Sequence, residues 1–221
     1  MKRKVSLEEI SDGKLYGAND LVKADCNGCS GCSACCQGMG NSIILDPLDL
    51  YRIEEHLGKS FKELLQNEIE LNVVDGVILP NLKMSGHSEQ CSFLSAEGRC
   101  TIHSFRPGVC RLFPLGRYYE NGSFQYFLQV HECTKENRTK VKVRKWIDTP
   151  DLKAYEKFVT DWHYFLDDVE KLLERTQKDG DRKQINLYLL NSFYLRPYPS
   201  EKSFYESFYE RLKEAGSILL K

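Results

Sequence analysis

The chain has 221 residues, 41% of them hydrophobic, with 31 basic against 32 acidic side chains and a net charge of −1. That composition suits one ordinary domain, or a domain with an extension, that builds a core without relying on metal alone. A balanced charge gives no global pull toward nucleic acid or anionic lipid. The first ten residues are charged and lack the apolar stretch of a secretory signal. No apolar run approaches the roughly 20 residues of a membrane span. The expectation is a soluble, cytoplasmic protein with no membrane partner.

Nine cysteines are present, five of them in Cys26-Asn-Gly-Cys29-Ser-Gly-Cys32-Ser-Ala-Cys35-Cys36. Full pairing within one chain is impossible for an odd number, and clustered thiols in a reducing compartment serve more often as ligands than as disulfides.

In chain order, residues 1–25 read as a weakly ordered lead-in. The Gly/Ser/Cys loop follows over 26–40, then a short strand at Ile43, Ile44 and Leu45. Asp46-Pro47 supplies a helix start, Leu50, Ile53 and Leu57 share one face, and Gly58 suits the stop. Ser60 and Glu63 form a capping-box pattern for a second helix with Phe61, Leu64 and Leu65 inward. Residues 71–79 read as a hairpin turning at Asp75-Gly76, and a second hairpin turns at Asn121-Gly122 between Tyr118-Tyr119 and the alternating Phe124, Tyr126 and Leu128. Between the hairpins lies a loop-rich stretch, 84–114, with three more cysteines.

After Cys133 no cysteine occurs. Lys135, Arg138, Lys140, Lys142, Arg144 and Lys145 read as a solvated basic face, without the aromatic interleaving of a nucleic-acid site. A long amphipathic helix is expected from about Thr149-Pro150, with Tyr155, Phe158, Trp162, Phe165 and Val169 at helical spacing. A break near Gly180, a helix over about 183–195 and a last helix from near Ser200 follow. The predicted fold class is α+β: a lead-in at 1–25, an irregular cysteine-rich module of short helices and hairpins at 26–145, and a helical extension at 146–221 packing on it.

The chemistry sits in the thiols. Beyond the N-terminal stretch stand Cys91-Ser-Phe-Leu, Gly98-Arg-Cys100-Thr-Ile-His103, Arg106-Pro107-Gly-Val-Cys110-Arg111-Leu-Phe113-Pro114 and Cys133. Four cysteines near the N-terminus and four further on make eight candidate ligands, with Cys26 left over. Eight thiolates suit two four-thiolate sites or one multinuclear centre, whereas a single zinc needs four. The adjacent Cys35-Cys36 pair, if extended, would point to opposite faces and serve different metals. Cys26/29/32 and Cys29/32/35 both satisfy the C-x2-C-x2-C spacing of ferredoxin-type ligation, so the register stays open. Iron–sulfur is favoured over zinc because only the N-terminal stretch carries C-x2-C knuckles. Arg99, Arg106 and Arg111 stand beside candidate ligands, where they would offset thiolate charge or brace loops. His87, His103 and His131 read as neighbours of the site rather than ligands.

These motifs together resemble the CxxCxxCC cysteine-cluster (YkgJ-like) family of zinc- or iron-chelating domains. The resemblance covers roughly residues 26–133. It implies that Cys29, Cys32, Cys35, Cys36, Cys91, Cys100, Cys110 and Cys133 correspond to the family's eight cysteines, with Cys26 an addition. A related module in the flagellin lysine methylase implies that such a domain can serve methyl transfer. Three readings follow: an iron–sulfur protein with an electron-transfer or cluster-dependent role, a structural zinc module, and a protein-modifying or methyl-transfer factor. Against the last, the chain has no GxGxxG, P-loop, HExxH or C-x3-C-x2-C motif. A protein partner or substrate would be met through the C-terminal helices.

Overall fold

The computed structural model describes residues 6–26 and 32–220. Residues 6–25, expected to be weakly ordered, instead form a one-turn helix α1 (Leu7–Ile10) and strands β1 (Ser11–Tyr16) and β2 (Leu21–Asp25). Their order is not local in origin. β1 pairs antiparallel with β8 (Ser123–Gln129), and β2 with β9 (Thr139–Lys142), both more than a hundred residues away. Alternation places Val22 and Ala24 in the core while Lys23 faces out. Lys140 and Lys142 of the basic segment are exposed on β9.

α2 (Pro47–Leu57) begins at an Asp46–Asp49 capping box and ends at Gly58, whose φ of 62° is left-handed. α3 (Phe61–Asn67) starts at the Ser60–Glu63 box. Both hairpins form: β3 (Ile69–Val74) with β4 (Val77–Leu82), and β7 (Leu115–Glu120) with β8. The segment 43–45 makes only a single antiparallel bridge, Ile44 to Asn81, flanked by the Leu45 N–H on the Pro80 carbonyl (2.9 Å) and the Leu82 N–H on the Ile43 carbonyl (3.0 Å). Strands β5 (Met84–Ser85) and β6 (Gln90–Cys91) and helix α4 (Gly108–Leu112) punctuate the loop-rich region. The sheets are small and antiparallel, in the order β1-β8-β7, β2-β9, β3-β4 and β5-β6, and the fold is α+β.

Helix α5 (Val143–Ile147) leads to α6 (Leu152–Arg175), capped by Asp151. α7 (Asp179–Leu190) begins before Gly180, so the chain breaks at 176–178 and the glycine lies in the first turn. A π-helical turn at Asn191–Leu195 precedes α8 (Phe204–Leu219), which starts at the Ser203–Glu206 capping box, three residues later than expected. Among the described residues no helix is long and apolar enough to cross a membrane.

The core is continuous from one end of the chain to the other. Phe158, Phe193 and Phe208 are fully buried, with Phe158 and Phe208 edge-to-face at 4.6 Å. Leu45, Leu50 and Ile53 belong to the same cluster. Two polar links fix the helices to the cysteine-bearing half. Asn186 of α7 accepts from the Ile78 N–H (2.6 Å) and donates to the Gly76 carbonyl (3.2 Å), satisfying the β3–β4 turn. The Tyr194 hydroxyl donates to the Leu45 carbonyl (3.1 Å). Replacing Asn186 by Ala strands the partly buried Ile78 amide. The expected loss is about 1–3 kcal/mol of stability, read by denaturant titration; no change in the midpoint would show that the link contributes nothing.

Candidate metal centre

The cysteines are brought together by backbone pairing rather than by their own spacing. Cys35 and Cys36 lie on a 3-10 turn, Ala34–Cys36, closed by the Cys36 N–H on the Ser33 carbonyl (2.9 Å). Just beyond it, Gln37 bridges Gln90 and the Gly38 N–H donates to the Glu89 carbonyl (3.0 Å). That contact places the first cysteine segment beside Cys91, which is itself held opposite Met84 in the β5–β6 pair. Cys100 is paired across from Leu94, and the next amide, Thr101 N–H, donates to the Phe93 carbonyl (2.8 Å). The turn between them closes on Gly98, whose φ of 72° an L side chain rarely adopts. Cys110 sits on α4, and Arg111 locks that helix in place. Its guanidinium donates to the carbonyls of Asp148 (2.8 Å) and Ser104 (2.6 Å), so this arginine braces loops.

Cys32, Cys35, Cys36, Cys91, Cys100 and Cys110 line one cavity of about 70 Å³. Cys35 and Cys110 also line a second cavity of about 60 Å³, with Met39 and Glu132 on its far side. Cys133 lines neither cavity, and Cys29 lies outside the described residues. The adjacent cysteines depart from expectation. A 3-10 turn, unlike an extended strand, leaves both Cys35 and Cys36 on the same cavity. All eight described cysteines are unbridged. Among the described residues, no three Cys, His, Asp or Glu side chains form a ready metal-binding group; the thiols are spread around the cavity wall instead.

The electrostatics are those of crowded thiols. Burial pushes Cys91 and Cys100 up, and pushes Cys110 well up with help from Cys91 and Asp49 nearby. The Cys36 thiol donates to the Cys35 sulfur. That bond brings Cys35 down to about 7 against the opposing effect of burial, and holds Cys36 far above its ordinary value. Arg99 and Arg106 supply positive charge at the cavity. Arg106 meets the His103 ring and carbonyl, and burial with the Arg106 charge beside it pushes His103 down. Among the described residues, the buried Nε of Arg106 meets no hydrogen-bond partner.

This donor set fits thiolate-bound zinc or iron. Soft sulfurs line a mostly apolar pocket, and the Arg106 guanidinium at its wall is of the sign to offset thiolate charge. Two features were not legible from spacing. Asp49 Oδ1 accepts from the Gly108 N–H (2.7 Å), and the Trp146 indole donates to the Leu112 (3.2 Å) and Phe113 (3.1 Å) carbonyls. Asp49 is 59 residues from its partner, beyond the reach of any local sequence pattern.

The raised thiols also set a pH dependence. A thiol whose folded value lies above its unfolded value of about 9 stabilises the fold below that pH, and the contribution is lost as pH rises toward the folded value. The metal-free protein should therefore melt progressively lower from pH 8.5 upward. Each raised thiol lowers stability across the interval between its unfolded and folded values, while Cys35, brought down to about 7, works in the opposite sense between about pH 7 and 9. Melting curves between pH 7 and 10 test this, and a flat profile would contradict the buried, protonated state of Cys91, Cys100 and Cys110.

No curated protein and no solved structure matches the chain. The model of the CxxCxxCC family, described as "Putative zinc- or iron-chelating domain", matches residues 28–151, more than half of the sequence. That span contains all six cavity thiols together with Cys29 and Cys133. The chain belongs to the CxxCxxCC family.

Proposed function

We propose that the protein holds an iron–sulfur centre through Cys29, Cys32, Cys35, Cys36, Cys91, Cys100, Cys110 and Cys133. The observation that carries the reading is the meeting of six thiols from four sequence segments on one cavity. A mononuclear zinc is saturated by four thiolates at about 2.3 Å and would leave two of the six without a role. Six thiols around a cavity of about 70 Å³, two of them facing a second cavity, suit a larger inorganic core. The C-x2-C-x2-C spacing with remote further cysteines is the pattern of cluster ligation. A centre of this kind supplies one-electron transfer.

The chain's own part is to gather, neutralise and shield. The Gln37–Gln90 bridge and the β5–β6 pair bring segments 32–36 and 91–110 together. Arg99 and Arg106 offset thiolate charge, and hydrogen bonds to sulfur tune a potential. Phe93, Phe113 and Trp146 line the same cavity with apolar surface, which keeps water from it. Loading requires the protonated thiols to release their protons, so affinity rises with pH.

Purification without oxygen, followed by iron, acid-labile sulfide and zinc per chain, tests the reading. Near-stoichiometric iron and sulfide are expected, with a reducible visible chromophore. Zinc without sulfide would replace it with a structural zinc module. Cys32→Ser and Cys110→Ser should each lower metal content and melting temperature, and Cys26→Ser should do so much less. Unchanged metal in both of the first two would reject the ligand set. Equal loss in Cys26→Ser and Cys32→Ser would shift its register.

A further inference from the structure

The segment that carries Cys110 is gripped at one residue from two sides. On one side, the Asp49 carboxylate, 3% exposed, accepts from the Gly108 N–H at 2.7 Å. On the other, the Tyr155 hydroxyl of α6 lies so close to Gly108 that a Cβ there would meet it at 2.2 Å. Tyr155 is 1% exposed and its oxygen accepts from Arg117 (2.8 Å), so it cannot move aside. Asp49 also shares a capping box with Asp46. The Asp49 N–H donates to Asp46 Oδ1 (2.8 Å) and the second carboxylate oxygen accepts from the Asp46 N–H (3.3 Å). Tyr155 lies beyond the residues that the family model matches.

We propose that Asp49 is a positioning residue for Cys110, acting with Tyr155 as a clamp that fixes Gly108 and thereby sets where the Cys110 sulfur stands at the metal centre. The inference rests on the reading of Cys110 as a ligand. The geometry favours this role over simple helix capping because one carboxylate does both jobs with different oxygens: Oδ2 closes the capping box and Oδ1 reaches the Gly108 loop. The N-cap itself is Asp46, whose own carboxylate accepts the Asp49 N–H. Asp46→Ala therefore removes that cap bond while leaving the bond to Gly108 in place, and serves as the control for loss of helix stability.

The test is the rate at which iodoacetamide alkylates each cysteine of the full chain after metal removal, mapped by mass spectrometry, alongside the rate of metal release from the as-purified protein to a chelator. Losing one buried hydrogen bond, with the donor left unsatisfied, favours local opening by about tenfold. In Asp49→Ala, Cys110 should be alkylated about tenfold faster relative to Cys91, and metal release should accelerate. Asp49→Asn keeps an acceptor oxygen and should restore both rates toward the parent. Asp46→Ala should leave Cys110 protected at a comparable loss of melting temperature. Tyr155→Phe frees the opposite side of Gly108 and should expose Cys110 selectively even if Asp49→Ala fails to fold. Uniform acceleration of all cysteines in step with melting would reduce Asp49 to a structural residue and overturn the proposal, as would Asp49→Asn behaving like Asp49→Ala. A protein that carries neither iron nor zinc would defeat the ligand reading by metal analysis alone, while the alkylation pattern would still decide whether the clamp positions Cys110.

Discussion

Thiols held close together resist losing their protons, and the rest of this structure is arranged around that constraint. Each sulfur at the cavity lies near others of the same kind, and burial removes the water that would stabilise a thiolate. The chain by itself meets the difficulty by keeping Cys91, Cys100 and Cys110 protonated and by letting Cys36 donate to Cys35. Positive charge from Arg99 and Arg106 at the same cavity works the other way, favouring the thiolate. A metal reverses the balance, because it stabilises the thiolates that burial disfavours.

That chemistry requires a rigid frame, since a sulfur displaced by an ångström is no longer a ligand. The frame is made of backbone bridges and a few long-range side-chain bonds. Gln37 pairs with Gln90, Leu94 with Cys100, and Arg111 ties Ser104 to Asp148. The two-sided hold on Gly108 adds a link from α2 and α6. The helical C-terminal part is thus joined to the cysteine-bearing part by shared core and by named polar contacts, Asn186 to the β3–β4 turn and Tyr194 to Leu45. Of the aromatic rings of α6 and α8, Phe158, Trp162, Phe204 and Phe208 are buried, and Phe204 meets Tyr51 of α2 at 5.4 Å.

Much of the fold is written locally. Capping boxes at Asp46 and Ser60, the Asn121-Gly122 turn and the spacing of the α6 apolar stripe all act within one or two turns of chain, and the corresponding elements form where they are expected. Residues 6–25 escape a local reading because their order comes from pairing with β8 and β9, and no short-range pattern carries a partner that far away. Gly180 misleads for the opposite reason. A glycine is tolerated in the first turn of a helix, and the break falls at 176–178 instead.

The site divides the same way. Cysteine number, the C-x2-C-x2-C run and the flanking arginines by themselves pointed to a zinc- or iron-chelating domain, because ligand type is a property of the side chain. Only the tertiary structure decided which thiols share a cavity, that Cys35 and Cys36 face it together from a 3-10 turn, and that Cys133 stands outside its wall. It also decided that Asp49 and Tyr155 grip Gly108. Those are facts of distance between segments far apart in sequence, fixed by sheet pairing and core packing, and residue spacing along the chain does not encode them.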